Sequence, residues 1–188
     1  MDGNREWSAK NLLLGAAGAV VGVCAMDAYF KLLKRRSSRS GDNAGEEARS
    51  EESRHALDDI SIAGIKKREK EPATATLGRL GYHAVKGRDP DRETSRRLST
   101  AIHWAYGVAV GGLYGLLRGD DRAALDIPAG LGYGAALWLI GDEVMVPVLG
   151  LSEGPTAHAP ADHLKALGAH LVYGVATSAT TQALHRVA

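Results

Sequence analysis

The sequence predicts an all-α fold: a four-helix transmembrane bundle of two helical hairpins with an internal duplication, plus a disordered linker and a short amphipathic helix. Three observations predict it. Four apolar runs are long enough to cross a bilayer, glycines recur four residues apart within them, and a seven-residue motif occurs twice. The net charge of +1 conceals this pattern, because charge is concentrated between Lys31 and Arg97.

Four apolar runs define the predicted transmembrane helices. A helix needs about 20 predominantly apolar residues to cross the hydrocarbon core of a bilayer. Soluble helices of that length carry a polar face every few residues, which these runs lack. The sequence therefore predicts a first transmembrane helix within residues 1–36 and a three-span region over residues 99–188. The runs themselves cover residues 11–33, 99–117, 127–151 and 166–184.

The first run is also compatible with a secretory signal peptide, since Arg5 and Lys10 precede it. A retained helix is favoured because the apolar stretch is long and Lys34, Arg35 and Arg36 follow it directly. Such a basic stop is typical of a membrane span, and the sequence has no clear small-residue cleavage site at the expected position.

A charged linker separates the first two runs. Residues 37–73 are rich in charges of both signs and contain few bulky apolar side chains. A segment of this composition cannot bury enough apolar surface to offset the entropy lost on ordering, so we expect it to be disordered. A regulatory or docking tail is the alternative to a solvated spacer.

Residues 74–98 are predicted to form an amphipathic, juxtamembrane helix. The pattern suits a helix on the membrane surface, with basic side chains toward the lipid head groups. Asp89 and Pro90 then predict the start of the next helix, with Asp89 as the N-cap and Pro90 at the first helical position. The basic side chains of the surface helix are Arg79, His83, Lys86 and Arg88.

The distribution of basic residues predicts an orientation. Lysines and arginines accumulate on the cytoplasmic side of membrane proteins, close to the ends of the spans. The loop over residues 34–98 holds more of them near the span ends than the opposite side does. We therefore expect a cytoplasmic loop and two outside termini, with the lipid bilayer as partner.

A seven-residue motif occurs in the second run and again in the fourth. His103-Trp-Ala-Tyr-Gly-Val-Ala109 and His170-Leu-Val-Tyr-Gly-Val-Ala176 share five of seven residues, which predicts an internal duplication. Each histidine lies four residues before a glycine of its own helix, so the histidine and that glycine occupy the same helix face. Small residues four apart let helix backbones approach closely within a membrane. The predicted packing residues are Gly107, Gly111, Gly115, Gly174 and Ser178.

Acids in the other two runs predict a polar centre. Asp27 comes late in the first run and Asp142 late in the third, whereas the histidines come early in the second and fourth. In an up-down hairpin, the end of one span and the start of the next lie on the same side of the membrane. Ionisable groups are costly in lipid, so we expect them to meet between helices. The predicted centre comprises His103, Asp142, Glu143, His163 and His170.

The segment Gly141-Asp142-Glu143, followed by Pro147, also predicts a break in the third helix. Proline cannot donate the hydrogen bond to the carbonyl four residues earlier, here that of Glu143. A broken helix inside a membrane needs polar partners within the protein or a wet cavity.

Several functions fit such a centre. Carboxylates and imidazoles relay protons or ions, bind divalent metals, or lock helices together as structural hydrogen-bonding pairs. The spacing matches no specific metal motif, and a haem held between His103 and His170 lacks an attachment motif. Asp27 has a simpler alternative partner in Lys31, one turn later.

Other classes of function lack support in the sequence. The single cysteine, Cys24, excludes a disulfide within one chain and a zinc site built on cysteines. The near-zero net charge gives no reason to expect nucleic acid as a partner. The sequence lacks a phosphate loop, a dinucleotide fingerprint, a nucleophile elbow and HExxH, so neither an enzyme nor a cofactor is predicted. Glycine-rich spans are compatible with a homo-oligomer. The sequence does not specify a small-molecule or ion substrate.

Three stretches carry a family resemblance. They are Ala101-Ile-His-Trp-Ala-Tyr-Gly-Val-Ala-Val-Gly-Gly-Leu-Tyr-Gly-Leu-Leu-Arg118, Gly132-Tyr-Gly-Ala-Ala-Leu-Trp-Leu-Ile-Gly-Asp-Glu143 with Pro147, and His170-Leu-Val-Tyr-Gly174. Together they resemble the YagU-like (DUF1440) bacterial inner-membrane proteins, a family of unknown function, over residues 75–186. The resemblance implies a multi-pass inner-membrane protein and supplies no catalytic residue, cofactor or substrate.

Overall fold

The computed structural model describes residues 9–40, 57–62, 64–119 and 126–188, and over these residues the protein is all-helical. This confirms the predicted all-α class. A π-helical segment, Trp138–Met145, joins the fourth and fifth helices without interruption, and a 3₁₀ turn, Pro155–Ala157, precedes the last. The α-helices are α1 (Ala9–Ser40), α2 (Ala73–Lys86), α3 (Arg92–Arg118), α4 (Ile127–Leu137), α5 (Val146–Val148) and α6 (Pro160–Val187).

Two helical stretches of the described chain are long and apolar enough to cross a membrane by length and composition. They cover Ala9–Ser38 and Ile127–Val148, the latter running from α4 through the π-helical segment to α5. The other two predicted spans form α3 and α6 but do not meet the same measure. Their repeated glycine, tyrosine, threonine and histidine residues lower the mean hydropathy of these two helices.

The four long helical elements pack in a fixed order. Helix α1 lies between α3 and α6, α6 lies between α1 and α4, and α2 packs on α3. Glycines permit these contacts, because a Cβ atom on Gly15 would lie 2.7 Å from the backbone nitrogen of Gly115. Likewise, a Cβ atom on Gly174 would lie 2.8 Å from the backbone nitrogen of Gly134. The spacing of small residues therefore sets which helix faces touch.

Tyrosines complete the contacts between α3, α4 and α6. The Tyr114 hydroxyl donates to the Ser178 hydroxyl at 2.7 Å, and the Tyr114 ring lies 4.9 Å from that of Tyr133. The Tyr133 hydroxyl donates to the carbonyl oxygen of Val110 across the gap between α3 and α4.

All five residues predicted for helix packing lie where two helices touch. The contacts are Gly107 against Val23, Gly111 against Ala19, Gly115 against Gly15, Gly174 against Gly134, and Ser178 against Gly130.

The segment before α2 differs from the predicted disorder. Residues 57–62 and 64–72, called the strap below, lie along the turn that follows α5. The Ile62 amide donates to the Val148 carbonyl at 3.1 Å, and the Lys66 amide to the Gly150 carbonyl at 2.7 Å. Backbone hydrogen bonds of this kind order a segment that buries few apolar side chains. Residues 41–56 and 63 of the predicted linker lie outside the described residues.

Helix α2 differs from the predicted surface helix in one basic side chain. Arg79 is buried rather than directed to head groups, because its guanidinium pairs with the Glu71 carboxylate at 3.0 Å. The same guanidinium donates to the Lys66 carbonyl at 2.7 Å. This ion pair therefore fastens the strap to α2.

The predicted N-cap of α3 is wrong. The cap is Asp91, whose carboxylate accepts from the Thr94 amide at 2.8 Å, and Pro90 stays outside the helix. Asp89 instead faces Arg68, with 2.5 Å between carboxylate oxygen and guanidinium nitrogen. Aspartates flank Pro90 on both sides. Only Asp91, the one nearer the helix, has the free backbone amides of the first turn within reach.

The predicted break at Gly141-Asp142-Glu143 is also wrong. The backbone stays helical through Pro147, and the missing proline amide is accommodated by a change of pitch. In the π-helical segment the Val146 amide donates to the Gly141 carbonyl, five residues back. A π-helical adjustment is one of the ways in which a membrane helix tolerates proline.

Candidate functional site

Two acid and histidine pairs lie at one end of the bundle. On the first hairpin, Asp27 of α1 faces His103 of α3, with 3.6 Å between Oδ1 and Nε2. On the second, Asp142 of the π-helical segment faces His170 of α6, with 3.7 Å between Oδ2 and Nε2. The structure thus brings each acid against the histidine of its own hairpin. Hairpin topology explains this arrangement, because both acids come late and both histidines early in their helices.

The orientation of the His170 ring is fixed by a backbone carbonyl. Its Nδ1 lies 2.9 Å from the Ala166 carbonyl oxygen, which can only accept, so Nδ1 carries a proton. The other ring nitrogen, Nε2, faces the Asp142 carboxylate at 3.7 Å. The backbone carbonyl therefore fixes which ring nitrogen is directed at the acid.

His103 is held less tightly. Its Nε2 is buried and makes no hydrogen bond to the described residues, although the Asp27 carboxylate lies near it. Asp142 interacts electrostatically with His103 as well as with His170. Asp142 therefore lies near the histidines of both hairpins.

Glu143 and His163 form a third pair outside the two others. The His163 Nδ1 lies 2.7 Å from the Glu143 carboxylate, and its Nε2 lies 2.9 Å from the Pro155 carbonyl oxygen. Both partners are acceptors, so both ring nitrogens donate and the ring is an imidazolium. The hydrogen bond to Glu143 raises the pKa of His163, which precedes the fourth apolar run.

Asp142 and Glu143, adjacent residues of the π-helical segment, line two cavities. Asp142 lines an apolar cavity of about 440 Å³ between α1, α3 and α6. Both Asp142 and Glu143 line a polar cavity of about 280 Å³ next to the turn before α6. Asp142 thus sits at the boundary between a polar space and an apolar one.

The strap contacts one lining residue of the polar cavity. The Lys67 ammonium pairs with the Glu153 carboxylate at 2.8 Å, and Glu153 lines this cavity. Near the end of the strap, the hydrogen bond from Arg79 lowers the pKa of Glu71. The strap is therefore connected to the site through the ion pair with Glu153.

The acids and imidazoles are arranged as pairs and not as one larger cluster. No three or more histidine, cysteine, aspartate or glutamate side chains converge in a way that could hold a metal ion, within the part of the chain that the structure describes. Glu143 and His163 form a hydrogen-bonded pair, whereas Asp27 with His103 and Asp142 with His170 lie 3.6 and 3.7 Å apart, just beyond hydrogen-bond distance. Imidazoles this close to carboxylates are groups that can take up and release protons.

Sequence reasoning missed the apolar half of the site. Phe30, Tyr106 and Tyr173 line the larger cavity next to Asp142. The two tyrosines occupy the same position in the repeated motif, and that repetition was the available signal. Phe30 has no comparable signal, because single aromatic residues are common in apolar helices.

Comparisons of the chain with family models, with curated proteins and with solved structures find no match.

Proposed function

We propose that the chain is a multi-pass integral membrane protein whose interior acid and histidine centre takes up and releases protons, as in a proton-coupled carrier. In this proposal α1, α3, α6 and the stretch from α4 to α5 cross the membrane. The membership of the YagU-like family and the inner-membrane location are part of the same proposal. It assigns the protein proton or ion handling rather than catalysis of a reaction.

The observation that carries the membrane assignment is an inverted distribution of side chains. Leu13, Leu32 and Ile140 are 64%, 59% and 61% exposed, whereas Thr177, Ser178 and Thr181 are at most 1% exposed. A soluble helical protein buries leucine and isoleucine and exposes hydroxyls. Polar and small residues between helices, with large apolar ones outside, are typical of membrane bundles.

Charged residues of α3 and α6 support spans for these two helices as well. Between Arg97 and Arg118 of α3, and between Lys165 and Arg186 of α6, the only residues that can carry charge near neutral pH are histidines. The flanking charges fall at the helix ends, where a membrane helix meets the head groups. The glycine and threonine content that lowers hydropathy lies on the faces that touch other helices.

The position of the centre favours a carrier over a channel. The titratable pairs lie at one end of the bundle, and the other half of the described interior is closely packed. A Cβ atom on Gly18, for example, would overlap the Thr181 hydroxyl. A proton site open to one side is the arrangement that alternating access requires.

Cys24 offers a native probe for the membrane assignment. It lies on α1 and is exposed, so in water it would react readily. In membrane fragments open on both sides, we expect labelling by a lipid-soluble maleimide and protection from a charged thiosulfonate. Glu69→Cys, introduced into Cys24→Ala protein at a side chain that is 90% exposed, should react with both reagents. Equal reactivity of the two cysteines toward the charged reagent would exclude α1 as a span.

Proton uptake by the purified protein tests the centre itself. In weakly buffered detergent solution, titrated from about pH 8 to about pH 5 where histidines ordinarily change charge, wild type should bind more protons than Asp142→Asn combined with His170→Gln. Glu93→Gln, an exposed carboxylate at the start of α3, serves as control. Equal uptake by wild type and the double variant, with lower stability of the variant, would leave the centre as a structural clasp.

A further inference from the structure

The larger cavity has the size and the wall of a binding site. Its volume of about 440 Å³ falls within the range of small-molecule sites, which are mostly apolar with a few convergent polar groups. Val23, Met26 and Leu137 contribute to the apolar wall, and α2 covers one side through Leu77. The polar groups converge at one place, where Asp142, His103 and His170 meet.

The larger cavity contains one carboxylate. Among the described residues that line it, Asp142 is the single carboxylate, and none is a lysine or an arginine. In the adjoining polar cavity each carboxylate other than Asp142 has a basic partner: Glu143 pairs with His163, Glu153 with Lys67 and Asp162 with Lys165. Asp142 accepts no hydrogen bond from the described residues, so its charge is the one that favours a cation over an anion in the larger cavity.

The Asp142 carboxylate retains capacity for a ligand. Its nearest imidazole nitrogen, on His170, lies 3.7 Å away, which is beyond hydrogen-bond distance. The charged and titratable groups that act on Asp142 are His170 from α6, His103 from α3 and Glu143 beside it. Tyr106 of α3 also interacts electrostatically with Asp142. A cation in the cavity would therefore meet a carboxylate that accepts no hydrogen bond from the described residues.

Aromatic rings surround the same space. Phe30, Tyr106 and Tyr173 line the cavity from three different helices. Aromatic faces stabilise organic cations, above all where water is excluded. Phe30, Tyr106 and Leu77 are also 45%, 43% and 46% exposed, so the cavity opens sideways between α1, α2 and α3.

We propose that this cavity binds a lipophilic organic cation, such as a quaternary ammonium or phosphonium compound, which enters from the bilayer and displaces protons from the Asp142 centre. The inference rests on the proposed proton-binding function and names the substrate class of that same site. The apolar wall accommodates the hydrocarbon part, the rings and the carboxylate stabilise the positive charge, and the polar cavity behind Asp142 provides the aqueous side.

The test compares two ions of nearly the same shape and opposite charge. Tetraphenylphosphonium and tetraphenylborate are each dialysed against the purified full-length protein in detergent, with proton release followed in weak buffer. We expect the cation to bind and to release protons, and the anion not to bind. Equal binding of both ions would show an unselective apolar cavity and overturn the proposal, as would failure of the cation to bind.

Two variants separate charge from space. Asp142→Asn should weaken binding of tetraphenylphosphonium by roughly tenfold or more, since a desolvated opposite charge is lost. Leu137→Trp should block binding by filling the cavity. Glu93→Gln should bind like wild type. Undiminished binding by both Asp142→Asn and Leu137→Trp would place the cation elsewhere and overturn the proposal.

The same preparations distinguish this inference from the function on which it rests. Wild-type protein that takes up protons through Asp142 and His170 but binds no phosphonium would refute the substrate class alone. Protein that shows neither proton uptake through the centre nor cation binding would refute both.

Discussion

The hydroxyl of Tyr173 donates a hydrogen bond to the carbonyl oxygen of Gly107 at 2.6 Å. Tyr173 belongs to the second copy of the repeated motif and Gly107 to the first. The bond therefore joins the two copies directly, from α6 to α3, in a part of the interior where Tyr173 is almost fully buried. The equivalent tyrosine of the first copy, Tyr106, points into the apolar cavity instead.

Tyr173→Phe is expected to lower the free energy of unfolding by about 1 kcal/mol, because a buried hydrogen bond is lost with little change in shape. Thermal or denaturant unfolding in detergent measures the effect. Tyr106→Phe is the matched control, since the Tyr106 hydroxyl makes no hydrogen bond to the described residues. A larger effect of the Tyr106 variant would contradict the assignment of the link to Tyr173.

Gly111→Ala is expected to destabilise the bundle by about 1–3 kcal/mol, as overpacking of a close helix contact does. The new Cβ atom would overlap the Cβ of Ala19 and lie 3.0 Å from the Gly15 carbonyl oxygen. Gly132→Ala is the matched control in α4, since nothing lies within 4 Å of its added Cβ. That control should be neutral or slightly stabilising, because alanine favours helix. Similar losses in both variants would indicate that the α1–α3 contact is looser than described.

Glu71→Gln is expected to release the strap, because it leaves the buried Arg79 guanidinium without its carboxylate. The free energy that holds the strap on the rest of the protein should fall by roughly 3 kcal/mol, as for other buried ion pairs that lose one partner. Amide hydrogen exchange of residues 57–62 and 64–72 measures it. Glu69→Gln, at a side chain that is 90% exposed, is the control.

The same pair gives the strap a pH dependence. The pKa of Glu71 is lowered in the folded protein, from an ordinary value of 4.5. Its contribution to stability is therefore complete above that value and is lost as pH falls through the lowered pKa. Strap protection that does not fall in acid, in wild type, would contradict this sign.

His163 predicts a pH dependence of the opposite sign. Its pKa is raised in the folded protein from an ordinary value of 6.5. The imidazolium pair with Glu143 therefore stabilises fully below that value, and the contribution is lost as pH rises through the raised pKa. The imidazole resonances of His163, followed by NMR as pH increases, should titrate above those of a free histidine. Glu143→Gln should bring the titration back toward the free value, and an unchanged titration would refute the pairing.

The sequence predicted that the acids and histidines lie on one side of the bundle, because hairpin topology and position along the helix suffice for that. The predicted single centre of five residues is found as separate pairs, with Glu143 and His163 apart from the others. Asp142 and His170 needed no knowledge of side-chain geometry, since one helix ends where the next begins. The packing glycines were predictable for a similar reason: four-residue spacing is a property of one helix face. These features follow from period and order along the chain.

Features that depend on backbone geometry were not predictable in the same way. The strap is ordered by main-chain hydrogen bonds, such as that from Lys66 to Gly150, and these leave no mark in residue type. Asp89 and Asp91 both fit an N-cap beside Pro90, and tertiary contacts decide between them. Pro147 signalled a disturbed helix correctly, but residue identity does not distinguish a broken helix from one of wider pitch.

The wider pitch of Trp138–Met145 has a consequence for the whole second hairpin. A π-helical turn is equivalent to one extra residue absorbed into an α-helix, so it changes the phase of everything that follows by about 100°. Before it, Gly130 and Gly134 face α6, and near its end Glu143 still reaches His163 of α6. Deleting one residue from this turn would leave a continuous helix with a normal pitch. It would also rotate either the glycines or Glu143 away from α6. The π-helical turn therefore lets one helix present both its packing glycines and its charged residue to the same neighbour.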